Sequence, residues 1–233
     1  MRYRELHSWN PTLEEAKEIQ KKLVEQLVIE DQIRNVKFIA GTDITFAKDS
    51  NLAYGGVVVF SFPDLQLVEA RSATCELEFP YVPGFLAFRE GPVLLKAFDQ
   101  VKTEPDIILF DGQGIAHPRG LGLASHMGLL LDKPSFGCAK SKLFGNYHEP
   151  GNKVRSFSYL YDPDRRVIGA VVRTKEKTRP LFVSVGHKVR LSAAIRLTLD
   201  CCRGYRLPEP SRHAHHYVNS LIQKGRGEQK TFF

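Results

Sequence analysis

Three carboxylates stand where their surroundings call for apolar side chains. In Ile39-Ala-Gly-Thr-Asp43-Ile-Thr-Phe46, strand alternation sets Val36, Phe38, Ala40, Ile44 and Phe46 on one face and Ile39, Gly41 and Asp43 on the other. Aspartate is disfavoured in strands, and Gly41 beside it implies open space on that face. From Phe85 the spacing turns helical, and Leu86, Glu90, Leu94, Ala97 and Val101 fall in one row with a carboxylate in an apolar slot. Asp111 directly follows Ile107-Ile-Leu-Phe110, at the carboxyl end of what reads as a buried parallel strand, where open α/β sheets bind ligands. A buried carboxylate without a partner is costly, so Glu90 needs either a nearby Arg or Lys or a cation. The alternative for Asp43 is a strand-end residue in a turn. If the three converge, they form an all-oxygen site suited to Mg²⁺ or Mn²⁺ rather than zinc. Such metals activate an attacking water and neutralise charge on a scissile phosphate, so the set points to phosphodiester hydrolysis.

Other residues gather round this chemistry. Lys140 ends another apolar run, in Gly137-Cys-Ala-Lys140-Ser-Lys142, where a lysine can hold a phosphate or stabilise developing negative charge. His215 lies at helical spacing with Ser211, Val218 and Ile222 and is a candidate to orient water, with His213 and His216 competing for that role. The segment from Asp111 to His126 is glycine-rich but has neither a Walker ending nor dinucleotide spacing, which excludes a nucleotide cofactor. Its glycines and His117 either line a snug pocket for a base drawn out of the stack or serve a tight strand-to-helix crossover. In Pro80-Tyr81-Val82-Pro83-Gly84 the prolines hold Tyr81 on a short rigid loop directly before the Glu90 helix, a wedge beside a metal site.

The elements that must position these residues read in a simple order. An amphipathic helix over about Thr12–Leu27, with Leu13, Ala16, Ile19, Leu23 and Leu27 along one stripe, precedes strands at Val36–Phe46, Leu52–Phe62 and Leu65–Leu77, an antiparallel meander. Helix Phe85–Val101, strand Ile107–Phe110, helix Leu121–Leu131 and strand Ser135–Ala139 then alternate, which indicates a parallel continuation of the sheet. Strands at Val154–Tyr161, Val167–Arg173 and Leu181–Ser184 and helices at Val189–Cys202 and Pro210–Lys224 complete a mixed α/β sheet with helices on both faces. The 233 residues fit one domain, 1–233, with a short flexible basic tail from about Lys224. No apolar run approaches a membrane span, and the N-terminus has no signal-peptide core, so a cytoplasmic location is expected. Cys75, Cys138, Cys201 and Cys202 show no metal or disulfide spacing. The net charge of +7, spread through Lys140, Lys142, Arg155, Arg173, Lys175, Lys177, Arg179, Lys188, Arg190 and Lys224-Gly225-Arg226, favours a polyanion partner without proving one.

These residues resemble the endonuclease V family, the repair nucleases for deaminated adenine. The resemblance rests on Gly41-Thr-Asp43-Ile-Thr-Phe46, Phe79 to Gly84 through Phe88-Arg-Glu-Gly-Pro92, Phe110-Asp-Gly-Gln-Gly-Ile-Ala-His-Pro-Arg119, Leu123 to Gly128, Ala139-Lys-Ser-Lys142, Arg173-Thr-Lys175 and Ser184-Val-Gly-His187, in order from about Leu6 to Lys224. It implies an RNase H-like fold and Mg²⁺-dependent cleavage of the second phosphodiester bond 3′ to a hypoxanthine nucleotide, with Mn²⁺ also supporting activity. It further implies that Asp43, Glu90 and Asp111 bind metal, that Lys140 and His215 are catalytic, and that Pro80, Tyr81, Val82 and Pro83 separate the strands. Leu86, Gly112, His117, Gly122 and Leu123 match positions lining the pocket for the flipped base. Phe85 and Cys138 depart from the aliphatic residues expected there, which touches pocket detail rather than chemistry. The expected partner is DNA containing deaminated bases, bound by a monomer. Cleavage of inosine-containing RNA, non-catalytic binding of damaged DNA, and nonspecific nuclease action are the competing readings.

Overall fold

The computed structural model describes residues 1–48 and 50–229, the side chains of 224–229 excepted. One nine-stranded sheet runs β3-β2-β1-β4-β5-β9-β8-β7-β6. β1 (Phe38–Phe46), β2 (Leu52–Ser61) and β3 (Leu67–Glu76) form the antiparallel meander. β4 (Ile107–Phe110) lies parallel to β1, and β5 (Ser135–Ala139) parallel to β4. Every residue of these two short strands is buried, as expected where helices cover both faces. The parallel continuation stops there. β9 (Leu181–His187) returns antiparallel to β5, followed outward by β8 (Val167–Val172), β7 (Phe157–Tyr161) and the two-residue β6 (Asn146–Tyr147), which has no signal in the sequence.

Alternation along β1 decides which helix meets which face. Ala40 packs under α2 (Leu86–Asp99) and α3 (Leu123–Leu131), with Leu94, Ala97, Phe98 and Met127. Ile39 faces the opposite core, which α4 (Leu191–Asp200) and α5 (Glu209–Gln229) cover with Ile195, Leu197 and Ala214. α3 is buried at every position, which suits a helix apolar all round. α1 (Leu13–Val24) is held by a Thr12–Glu15 capping box and is shorter than its stripe suggests; Leu13 is exposed, while Gln20 is buried.

Two expectations about surface chemistry change. Arg173 is buried, bonded through Nη2 to Glu149 at 2.7 Å, and Lys188 pairs with Asp132 at 2.7 Å. Neither is a free cation. The tail expected from Lys224 begins inside α5, which continues to Gln229, and residues 230–233 lie outside the described residues. Among the described residues no helix is long and apolar enough to cross a membrane.

Gly41 does not leave open space. A Cβ there would lie 2.4 Å from the Pro210 carbonyl carbon, because the start of α5 fills that position. Gly41→Ala is expected to force α5 off β1 and lower stability by about 1–3 kcal/mol in denaturant unfolding. A wild-type midpoint would show that α5 can shift freely.

Candidate active site

β1, β4 and β5 deliver their carboxyl ends to one edge of the sheet, and α2 crosses beside it. A cavity of about 340 Å³ opens there, lined by Asp43 from β1, Glu90 from α2, Asp111 after β4 and Lys140 after β5. The predicted row on α2 holds: Leu94, Ala97 and Val101 are buried and Glu90 reaches the cavity. Its neighbour Arg89 instead directs one guanidinium nitrogen to the Phe79 carbonyl, at 2.8 Å, and lies over the Phe46 ring.

The cavity is electrostatically crowded. Burial, then the charges of Asp43 and Asp111, push the Glu90 carboxyl up to about 8. Burial and Asp111 also raise Asp43, against the opposing pull of His215 and Lys140. Lys140 forms a close ion pair with Asp111; burial pulls its ammonium down, but the Asp111 charge and hydrogen bond hold it above its ordinary value. His215 Nδ1 lies 2.7 Å from Asp43 Oδ2, and Asn219 donates to the His215 carbonyl at 2.9 Å. Of the three competing histidines only His215 reaches the carboxylates in this way; His213 packs on Phe60 and lies 3.2 Å from Glu209, and His216 is exposed. Among the described residues no group of three or more His, Cys, Asp or Glu side chains is placed closely enough to hold a metal ion as it stands. The donor set nevertheless fits a hard divalent cation, since it is all oxygen and two of its carboxyls are protonated more readily than usual.

A second cavity, of about 250 Å³, adjoins the first, and Leu86, Gly112 and Leu123 line both. His117 and Gly122 line the second, so all five predicted pocket residues meet there. Tyr81, Val82 and Pro83 stand at its rim, with Tyr81 71% exposed; Pro80 lies outside its lining. The loop is fixed from behind. The Gly84 carbonyl accepts from Gln20 Nε2 at 3.0 Å, His117 Nε2 at 3.0 Å and Arg119 Nη2 at 2.7 Å, and Gly84 itself takes φ +82°. Burial and then Arg119 lower His117 to about 4, so its ring is neutral, with Nδ1 accepting from the Arg119 N–H at 3.1 Å. The glycine-rich segment also serves a tight crossover: a Cβ on Gly114 would come to 1.9 Å from the Val185 carbonyl oxygen.

The Endonuclease V family model matches residues 21–216. The chain belongs to the Endonuclease V family. An Endonuclease V from Kosmotoga olearia is 49% identical over 92% of this chain and 94% of its own. The crystal structure of the Endonuclease V from Streptomyces avermitilis superposes with a TM-score of 0.89 at 34% identity, covering 94% of this chain and 96% of that one. The Ciona intestinalis Endonuclease V, solved with a 24mer DNA containing an inosine followed by a ribo-adenosine, has a TM-score of 0.80 at 27% identity, covering 91% and 98%. The mixed sheet with flanking helices is the Endonuclease V fold, and the family's activity is endonucleolytic.

Sequence reasoning missed several residues of this site. Gln20 interrupts the apolar side of α1 as Glu90 interrupts that of α2, and the same argument would have found it. Gln113, Ser141 and Leu143 line the second cavity without any periodic signal.

The crowding has a pH signature. Because the folded value of Glu90 is raised from 4.5 to about 8, its contribution to stability is full below 4.5 and is lost as pH rises toward 8. With chelator present, Glu90→Gln is expected to be more stable than the wild type by a few kcal/mol at pH 8, the gap closing toward pH 4.5. An equal gap at both pH values in urea unfolding would refute the crowding.

Proposed function

We propose that this chain is a divalent-metal-dependent DNA nuclease that draws deoxyinosine out of the stack and hydrolyses the second phosphodiester bond on its 3′ side. One observation carries the reading: an acidic cavity and a more enclosed pocket share a wall of Leu86, Gly112 and Leu123, so a base seated in one places its strand's backbone beside the other. In this reading Asp43, Glu90 and Asp111 hold Mg²⁺, or Mn²⁺ in its place. The bound ion supplies charge neutralisation at the phosphate and a more acidic attacking water.

The chain's own groups do the rest. Lys140, held protonated beside Asp111, faces the phosphate with a charge already oriented. His215 is positioned by Asp43 to orient water. The neutral His117 donates its Nε2–H to the Gly84 carbonyl, so it shapes the pocket wall without placing a charge against the base. Tyr81, on an anchored loop, takes the gap left in the duplex. No nucleotide cofactor or membrane enters this reading, and the protein acts as a cytoplasmic monomer.

A nicking assay on a labelled duplex with one deoxyinosine tests it. Mg²⁺-dependent cleavage at the second 3′ bond is expected, with loss of at least about 10²-fold in Asp43→Ala. Equal cleavage of undamaged duplex would instead mean a nonspecific nuclease, preference for a matched inosine RNA strand an endoribonuclease, and binding without nicking a damage-recognition protein. Tyr81→Ala is expected to weaken lesion-DNA binding about 10-fold while leaving the metal requirement unchanged, measured by anisotropy in Ca²⁺. Unaltered affinity would remove the wedge role.

A further inference from the structure

Among the described residues, the sheet face that carries Asp43 and the covering helices α4 and α5 runs on beyond α4 without a covering helix. Directly paired residues on neighbouring strands share a face, and Phe157 and Tyr159 of β7 lie opposite Val172 and Ala170 of β8, both in the core under α4 and α5. Phe157, Tyr159 and, two residues on, Tyr161 therefore extend that face to the edge of the sheet. Phe157 and Tyr159 are each 45% exposed. Their ring centroids are 5.6 Å apart, and Tyr159 and Tyr161 are 6.3 Å apart, each pair edge to face. A continuous aromatic row with two exposed rings and a half-buried third is uncommon on a surface that meets only water.

Its position relative to the candidate active site follows from strand register. Phe157 pairs with Val172, Val172 with Leu181, and the next residue, Phe182, with Ala139, which precedes Lys140. The row thus begins at the end of the sheet where Lys140 stands. Three strand steps separate them, about 14 Å at ~4.8 Å each. The end is basic: Lys153, Lys175, Lys177 and Arg179 are exposed there. Arg206 fastens this loop to the site, donating to the Arg179 carbonyl at 2.7 Å and the Lys140 carbonyl at 2.8 Å. The nearby carboxylates Glu149 and Asp200 are already engaged, by Arg173 at 2.7 Å and Arg155 at 3.7 Å, and Glu176 is the one acidic residue in the β8–β9 loop.

We propose that Phe157, Tyr159 and Tyr161 form a second nucleic-acid contact, on which unpaired bases of a single strand leaving the active site stack. Lys153, Lys175, Lys177 and Arg179 hold its phosphates. Aromatic faces beside a basic track are the general means of binding single strands without reading sequence. Duplex DNA hides its base faces and suits the row less well. A second copy of the chain suits it less still, because a two-fold contact here would bring like-charged rims together.

The test uses the full-length protein, without metal, and a fluorescein-labelled oligothymidylate, which carries no lesion. Tyr159→Ala is expected to weaken binding about 10-fold, and Phe157→Ala with Tyr159→Ala further. Lys175→Ala with Lys177→Ala is expected to reduce the salt dependence of the affinity. Phe157→Leu with Tyr159→Leu, which keeps apolar area and removes the rings, is expected to behave as the alanine pair does and guards against a folding defect. All aromatic variants are expected to nick a short blunt deoxyinosine duplex at the wild-type rate. Wild-type affinity in the leucine pair would overturn the proposal. So would concentration-dependent self-association of the wild type, in ultracentrifugation, that the same pair abolishes.

Discussion

Placing three carboxylates at one partly desolvated edge of a sheet sets the terms for everything around it. Each carboxyl is taken out of water and set near the others, and the chain relieves this only in part: Lys140 pairs with Asp111 and His215 Nδ1 lies against Asp43, while Glu90 is raised to about 8. Such crowding persists only if the backbone over-determines it. Here β1 and β4 are locked in parallel register, and both are buried between helices. The apolar layers under α2 and α5 are thus the clamp that keeps the acids together.

The same architecture makes the Pro80–Gly84 loop stiff. Tyr81 is mostly exposed, yet three residues beyond it the Gly84 carbonyl receives three donors and the Arg119 guanidinium lies 4.2 Å from the centroid of the Phe85 ring. Because Gln20 comes from α1, His117 and Arg119 from the glycine-rich crossover and Gly84 from the loop, three distant segments are joined at one oxygen. Such anchoring leaves the loop that carries Tyr81 little conformational entropy to lose in any contact it makes. Phe85, a departure from the aliphatic residue expected there, is part of this anchor, packed with Phe79 and Phe88.

The long α5 runs across β1 and β2 on one face of the sheet. Its start rests on Gly41, where no Cβ fits, and one turn later it presents His215 to Asp43 on the strand that passes beneath. Backbone contact at Gly41 therefore sets side-chain chemistry two residues further along β1.

What the sequence determined by itself was local. Glu90 in an apolar row, Asp111 at the end of an apolar run and Asp43 in a strand are each visible because one polar residue breaks a strict period, and the period alone says which residues share a face. The meander, the short buried strands and the helices between them were legible for the same reason. Which faces meet is a long-range matter. The choice of His215 over His213 and His216 depends on how α5 is rotated against β1, and the filling of the space at Gly41 depends on where that helix begins. The antiparallel return of β9, the short β6 and the buried Gln20 were likewise settled by packing. Side-chain alternation reports burial, not strand direction or the identity of a neighbour distant in the chain, and those were decided only when the layers closed.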